Sequence, residues 1–400
     1  MELRSGKTVW RLKHGAPTAY APLRGDTDCE VAIIGGGITG ALIAYELTKA
    51  RVDCLLIDKW EIGGGSTSAS TSLLSYELDI PLCDLAQQIG EADAAACYVA
   101  CRDSIEKIER VVHELDQECE FIRRQSVYLA DSERHVPDLA REHTARRRCG
   151  LQVELLSQRD VEQIFSFSRP AALLTHDAAD IDVVAFMEAL LRAAARKGLR
   201  VFAHTRMTKH ERNGRKFNLF TEAGHRIEAR TVVFATGYES EKYLGRKVGT
   251  LKSTFAIATE PIADFQGWHE RCLIWTSARP YLYLRTTADR RAIIGGEDID
   301  FRDDQLRDAL LPEKAAKLER SFRRMFPGIE FKLACSWAGT FGETNDSLAR
   351  IGQSDRLPGA YFALGYGGNG ITYSMIAAEI IRDACLGVEN PAARFFRLDR

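Results

Sequence analysis

Short β-branched and leucine-rich runs punctuate this chain, each closing on glycine or an acid, as strands buried on both faces do. The clearest are Val31-Ala32-Ile33-Ile34, Cys54-Leu55-Leu56-Ile57 and Val232-Val233-Phe234. Elsewhere the apolar period lengthens to that of a helix. Leu42, Ile43, Tyr45 and Leu47 predict a helix after the first run. Phe186, Leu190, Leu191 and Ala194 predict another over 181–198, with Asp182 as N-cap. Ile371, Met375, Ile376, Ile380, Ile381 and Ala384 predict a third, stopped by Gly387. A strand at 199–202 and a hairpin of 216–220 and 225–229 precede the strand entered at Thr231.

Two further blocks have a different texture. Residues 81–156 read as long helices with a strand at 126–129, and residues 245–331 as strands at 254–259, 281–286 and 291–296. The expected class is α/β: a Rossmann-type unit with an inserted α+β unit built on an antiparallel sheet.

The first strand runs into Gly35-Gly36-Gly37-Ile38-Thr39-Gly40, a GxGxxG turn that opens a helix. Asp58 ends the next strand at about the 20-residue interval of a ribose-binding acid. In this reading Gly35 makes the turn, Gly37 admits a pyrophosphate and Gly40 lets helix and strand pack closely. The helix start, with Ile38 and Thr39, offers free N–H groups and a positive dipole end to phosphate. Asp58 repels a 2′-phosphate, which disfavours NADP. Arg51 stands where such helices often end in a left-handed glycine, at a cost of about 1 kcal/mol if it takes that conformation.

The 400 residues carry a formal charge of −2, so no global field attracts nucleic acid. Arg146-Arg147-Arg148 reads as a solvated helix face. The ten cysteines form no CxxC pair and read as scattered buried thiols in a reducing compartment. No apolar run of about 18 residues predicts a membrane span. Residues 1–28 lack the apolar core of a secretory signal, and the expected location is cytoplasmic.

The fingerprint alone leaves NAD and FAD open. Three more segments decide: Gly63-Gly64-Gly65-Ser66-Thr67-Ser68-Ala69-Ser70-Thr71; Val232 to Ala235-Thr236-Gly237; and Trp337-Ala338-Gly339, Ala349-Arg350-Ile351-Gly352 and Gly365-Tyr366-Gly367-Gly368-Asn369-Gly370-Ile371-Thr372 in that order. In this arrangement the chain resembles the D-amino-acid oxidase superfamily of FAD-dependent oxidoreductases, which includes glycine and sarcosine oxidases. The resemblance implies a discontinuous FAD-binding domain over 1–80, 157–244 and 332–400, with a substrate domain over 81–156 and 245–331. It implies FAD contacts from Lys59, Gly65, Ser66, Thr67, Thr71 and Leu73, from Met207, from Ala235, Thr236 and Gly237, and from the glycine loop Gly365 to Thr372. The helix after that loop would aim its positive end at the flavin N1 and C2 carbonyl.

The implied chemistry is oxidation of a C–N bond in an amine or amino acid by hydride transfer to flavin N5, giving an imine that water hydrolyses. Tyr281, Tyr283 and Arg285 alternate on one strand and form the candidate substrate face. A solvent-facing side with Arg285 paired to an acid such as Glu297 is the competing reading. The family's carboxylate-clamping arginine falls at Phe341, followed by Gly342 in place of proline. Either Arg285 or Arg279 takes over, or the substrate lacks an α-carboxylate. The position of the flavin-linking cysteine falls at Gly339, so non-covalent FAD is expected. The oxygen-activating lysine falls at Ile293, which leaves the acceptor as oxygen or another carrier. Tyr76, Glu77 and Asp79 also follow the flavin loop closely, although Asp79 is as well placed to start a helix at Pro81. The alternatives are an FAD-dependent dehydrogenase of a hydroxy acid or imino compound using a non-oxygen acceptor, and a non-enzymatic flavin- or nucleotide-binding module acting through partners.

Overall fold

The computed structural model describes residues 3–117 and 119–400. Two sheets organise it. The eight-stranded sheet runs Arg350–Ser354, Leu357–Leu364, Arg226–Phe234, Thr27–Ile34, Cys54–Ile57 and Arg200–Phe202, with the hairpin Met207–Asn213 and Lys216–Thr221 pairing onto Arg226–Phe234. Its central strands are parallel, with Val31 beside Cys54 and Val233 beside Ile33. The helices Ile38–Lys49, Val183–Ala195 and Gly370–Leu386 pack together on one face. The first of these is buried on all sides, not along one stripe, because the other two enclose it.

The predicted helix signals hold. Asp182 accepts from the N–H groups of Val184 and Ala185, and Gly387 ends the last helix in the left-handed conformation. Arg51 is left-handed, with φ +64°, so the turn carries the expected strain. The strand Met207–Asn213 escaped the sequence reading, since six of its seven residues lie at or near the surface and show little apolar pattern.

The ten-stranded sheet runs Arg4–Gly6, Leu333–Glu343, Thr250–Thr259, Ala292–Asp300, Leu282–Thr286, Leu273–Thr276, Ile122–Leu129, Ala171–Asp180 and Leu73–Leu74, with Val153–Ser157 also on Ala171–Asp180. Ala171–Asp180 and Leu333–Glu343 thus hydrogen-bond in this sheet, although the sequence reading grouped them with the dinucleotide segments. Period-two alternation divides its faces. Phe255, Ile257, Ile274, Leu284 and Ile294 pack on the helix Asp304–Met325 through Leu318 and Phe322. The opposite face turns towards the first unit.

Arg146 corrects the sequence reading. Only Arg147 and Arg148 are exposed. Arg146 is 1% exposed, bonded to Glu142 (2.7 Å) and Glu77 (3.2 Å), with Tyr76 and Tyr98 rings against it. Two carboxylates and two aromatic faces compensate its desolvation. Among the described residues no helix is long and apolar enough to cross a membrane.

Candidate active site

The glycine turn forms one end of a cavity of about 800 Å³. Gly35 has φ +114°, and a Cβ there would lie 2.3 Å from the Ala235 carbonyl oxygen. A Cβ on Gly40 would lie 1.9 Å from the Gly35 carbonyl oxygen, so this residue packs helix against turn and does not line the cavity. Gly37, Ile38 and Thr39 do line it. The helix has no acid in its first turn and no side-chain cap at Gly37, which leaves its positive end facing the cavity. Asp58 lines the same end and accepts from the N–H groups of Gly36 (2.7 Å) and Trp60 (2.8 Å). Burial pushes its carboxyl upward, against those two bonds. Lys59 is paired with Glu239 at 2.6 Å. Met207, Ala235, Thr236 and Gly237 complete this end.

The loop after Gly65 is held from behind by long side chains. Trp337 Nε1 donates to the Ala69 carbonyl (2.8 Å), and Trp10 Nε1 to that of Ser70 (2.7 Å). Arg285 Nη1 donates to the carbonyls of Thr71 (3.2 Å), Ser72 (2.7 Å) and Ile181 (3.0 Å). Four consecutive carbonyls are thereby fixed by three side chains that are each at most 1% exposed. Gly65, Ser66, Thr67, Thr71 and Leu73 face the cavity. The Thr67 hydroxyl accepts from the Ile38 N–H (3.0 Å), joining this loop to the helix start, so this N–H is not free as expected.

This arrangement corrects the expectation for Arg285. It shares a sheet face with Tyr283, but it is buried behind the loop, ion-paired with Asp180 at 3.3 Å, and does not line the cavity. Glu297 is not its partner and pairs with Lys314 on the helix side. Thr372 is likewise buried outside the cavity, its hydroxyl on the Asn369 carbonyl. Gly365, Gly367, Gly368, Asn369, Gly370 and Ile371 line the cavity as expected. Asn369 donates to the carbonyls of Ser75 (3.1 Å) and Glu77 (2.9 Å), tying this loop to the segment that carries Asp79. Asp79 does not cap the helix at Pro81; it accepts from the Gly368 N–H at 2.9 Å and lines the cavity.

The far end lies on the ten-stranded sheet. The Tyr283 ring lies over Gly295, where a Cβ would sit 2.2 Å from it, and its hydroxyl meets Thr254 at 2.9 Å. The Tyr281 hydroxyl donates to the Asp79 carbonyl at 3.3 Å. Trp275 and Phe341 add aromatic wall. Beside Phe341, a Cβ on Gly342 would lie 2.9 Å from the Tyr238 ring, so the missing proline makes room for that tyrosine.

Sequence reasoning missed Asp298 and Glu343, which line this end with Asp79. A bulge at Gly296 and Glu297, with φ +138° and +58°, shifts the alternation so that Asp298 faces the cavity and Glu297 the helix. Burial pushes the Asp298 carboxyl up to about 6, with repulsion from Asp79 and Glu343 adding to it and a Thr254 hydrogen bond and the Arg279 charge opposing. Burial also raises Asp79 and Glu343, the latter further by Asp79. The lysines and arginines that line the cavity are Arg4, on the strand beside Gly339 and bonded to the Gly64 carbonyl (2.8 Å), with Lys59 next to Asp58, Arg206 next to Met207, and Lys242. Arg279 is exposed and stacks on the Tyr281 ring at 3.4 Å.

A glycine cradle and a helix end without an acid at one end of the cavity, hydroxyls along it and a second glycine loop beyond fit FAD. Fold and cavity together define a dinucleotide-dependent oxidoreductase. Residues 30–384 match the family model DAO, FAD dependent oxidoreductase, and the chain belongs to that family. It is 24% identical to the glycine oxidase of Geobacillus kaustophilus (strain HTA426), over 88% of this chain and 92% of that one. It is also 24% identical to YhfW of Bacillus subtilis (strain 168), a protein named for a Rieske 2Fe-2S iron-sulfur centre, over 98% of this chain and 75% of that protein. Among solved structures, glycine oxidase from Geobacillus kaustophilus superposes with a TM-score of 0.76 at 21% identity, covering 93% of this chain and 99% of that one.

Proposed function

We propose that the protein binds FAD non-covalently and oxidises the C–N bond of a small amine, giving an imine. The observation that carries this reading is one continuous cavity, running from the glycine turn to the aromatic face of the second sheet. When bound, FAD supplies the acceptor for the hydride that leaves the carbon beside the amine nitrogen. The protein's part is positioning. Tyr281 and Tyr283, fixed through the Asp79 carbonyl and the Thr254 hydroxyl, wall the substrate end. Phe341, standing where relatives place a carboxylate clamp, favours amines over amino acids. Arg279, at the rim, is the alternative clamp. None of the ten cysteines lines the cavity, which supports a non-covalent cofactor.

Anaerobic mixing with amines and amino acids tests the reading: bleaching of the flavin colour by amines supports it, and a flavin that stays oxidised with every compound contradicts it. The acceptor is a separate question. Ile293, fully buried at the expected lysine position, and the relative named for an iron-sulfur centre both favour a carrier other than oxygen. Dye reduction well in excess of peroxide yield is then expected. A dehydrogenase of imino compounds with the same acceptor is the second reading.

A further inference from the structure

The substrate end is built for positive charge. Asp79, Asp298 and Glu343 come from a loop, a bulged strand and the strand Leu333–Glu343, yet they converge on one end of the cavity. They lie close enough that each of Asp298 and Glu343 is raised by its neighbours' charge. No lysine or arginine lines the cavity among them, although Arg279 at the rim favours the charged form of all three and Lys252 that of Glu343. Repulsion of this kind costs stability and persists where a ligand relieves it.

Two independent features point to a ligand. The Ser126 hydroxyl, 1% exposed, has no hydrogen-bond partner and lines this same cavity. Tyr281, Tyr283, Trp275 and Phe341 present aromatic rings beside the carboxylates. Ring faces and carboxylates together recognise ammonium groups.

This inference rests on the amine-oxidising reading above. The nitrogen that reacts must be neutral, because an ammonium has no lone pair to assist hydride departure. A monoamine in its reactive form therefore adds no positive charge to three carboxylates that share only Arg279 and Lys252 as counter-charges. We propose that the substrate carries a second, non-reacting cationic nitrogen, held by Asp79, Asp298 and Glu343 with the aromatic wall: a diamine or longer polyamine. A buried hydrogen bond to a charged group discriminates by roughly 10- to 100-fold.

Rapid-mixing measurement of anaerobic flavin reduction in the holoenzyme tests this, using linear α,ω-diaminoalkanes, 1-aminoalkanes of equal length and the matching ω-amino acids. Diamines are expected to exceed monoamines by roughly 10- to 100-fold in efficiency, mainly through substrate affinity. Glu343→Gln and Asp298→Asn, each made singly and checked for a native flavin spectrum, are expected to narrow that gap about tenfold. Equal efficiency for monoamines and diamines overturns the proposal and leaves amine oxidation standing. Preference for the amino acids overturns it and points to Arg279. No reduction by any amine overturns the functional reading itself.

Discussion

Single residues carry much of the site's character, and Asp298 shows how. Its carboxyl is raised from an ordinary 3.8 to about 6 by burial and by Asp79 and Glu343, against a Thr254 hydrogen bond and the Arg279 charge. A raised acid contributes its full stability below the unfolded value and loses it as pH rises through the folded value. Above neutrality Asp298 therefore strains the free protein. Asp298→Asn is expected to stabilise it there by up to about 3 kcal/mol, with the gain gone near pH 4, as urea titrations at several pH values would measure. A cationic substrate needs the ionised form, so its efficiency is expected to fall as pH drops through about 6. Arg51→Gly removes the left-handed strain and is expected to add up to about 1 kcal/mol in the same titration.

The elements differ in how far the sequence reveals them. The turn at Gly35 to Gly40 and Asp58 was legible because strand, glycines, helix and acid fall within one short βαβ stretch. The loop Gly365 to Ile371 was legible from glycine density before an apolar helix. Asp298 was not, because a bulge defeats strict alternation and nothing in Gly295-Gly296-Glu297-Asp298 says which acid turns inward. The role of Arg285 was also hidden: its face was predicted, but the carbonyls it meets come from Thr71, Ser72 and Ile181, far away in sequence. Trp10→Phe keeps the ring and loses the bond to Ser70. We expect FAD affinity to weaken about 5- to 10-fold, one neutral hydrogen bond's worth, with little change in secondary structure by circular dichroism.

At the scale of the whole molecule, two sheets contribute different halves of one cavity. The eight-stranded sheet offers glycine turns and a positive helix end; the ten-stranded sheet offers aromatic rings and carboxylates. The family's fold was legible because its motifs are spread over nearly the whole chain in order. Which strands join which sheet was less so, since the partners of Ala171–Asp180 and Leu333–Glu343 are set by long-range pairing. With no cysteine on the cavity wall, acid precipitation is expected to release all the flavin into the supernatant; colour retained in the pellet would show a covalent bond.

Titration of the flavin-free protein with FAD, followed by isothermal calorimetry and the visible spectrum, tests the central claim most directly. One FAD per chain is expected, with binding weakened at least tenfold by Gly37→Val in a protein that still melts cooperatively. A chain that binds no FAD, or binds it equally well with valine at that turn, would contradict the account.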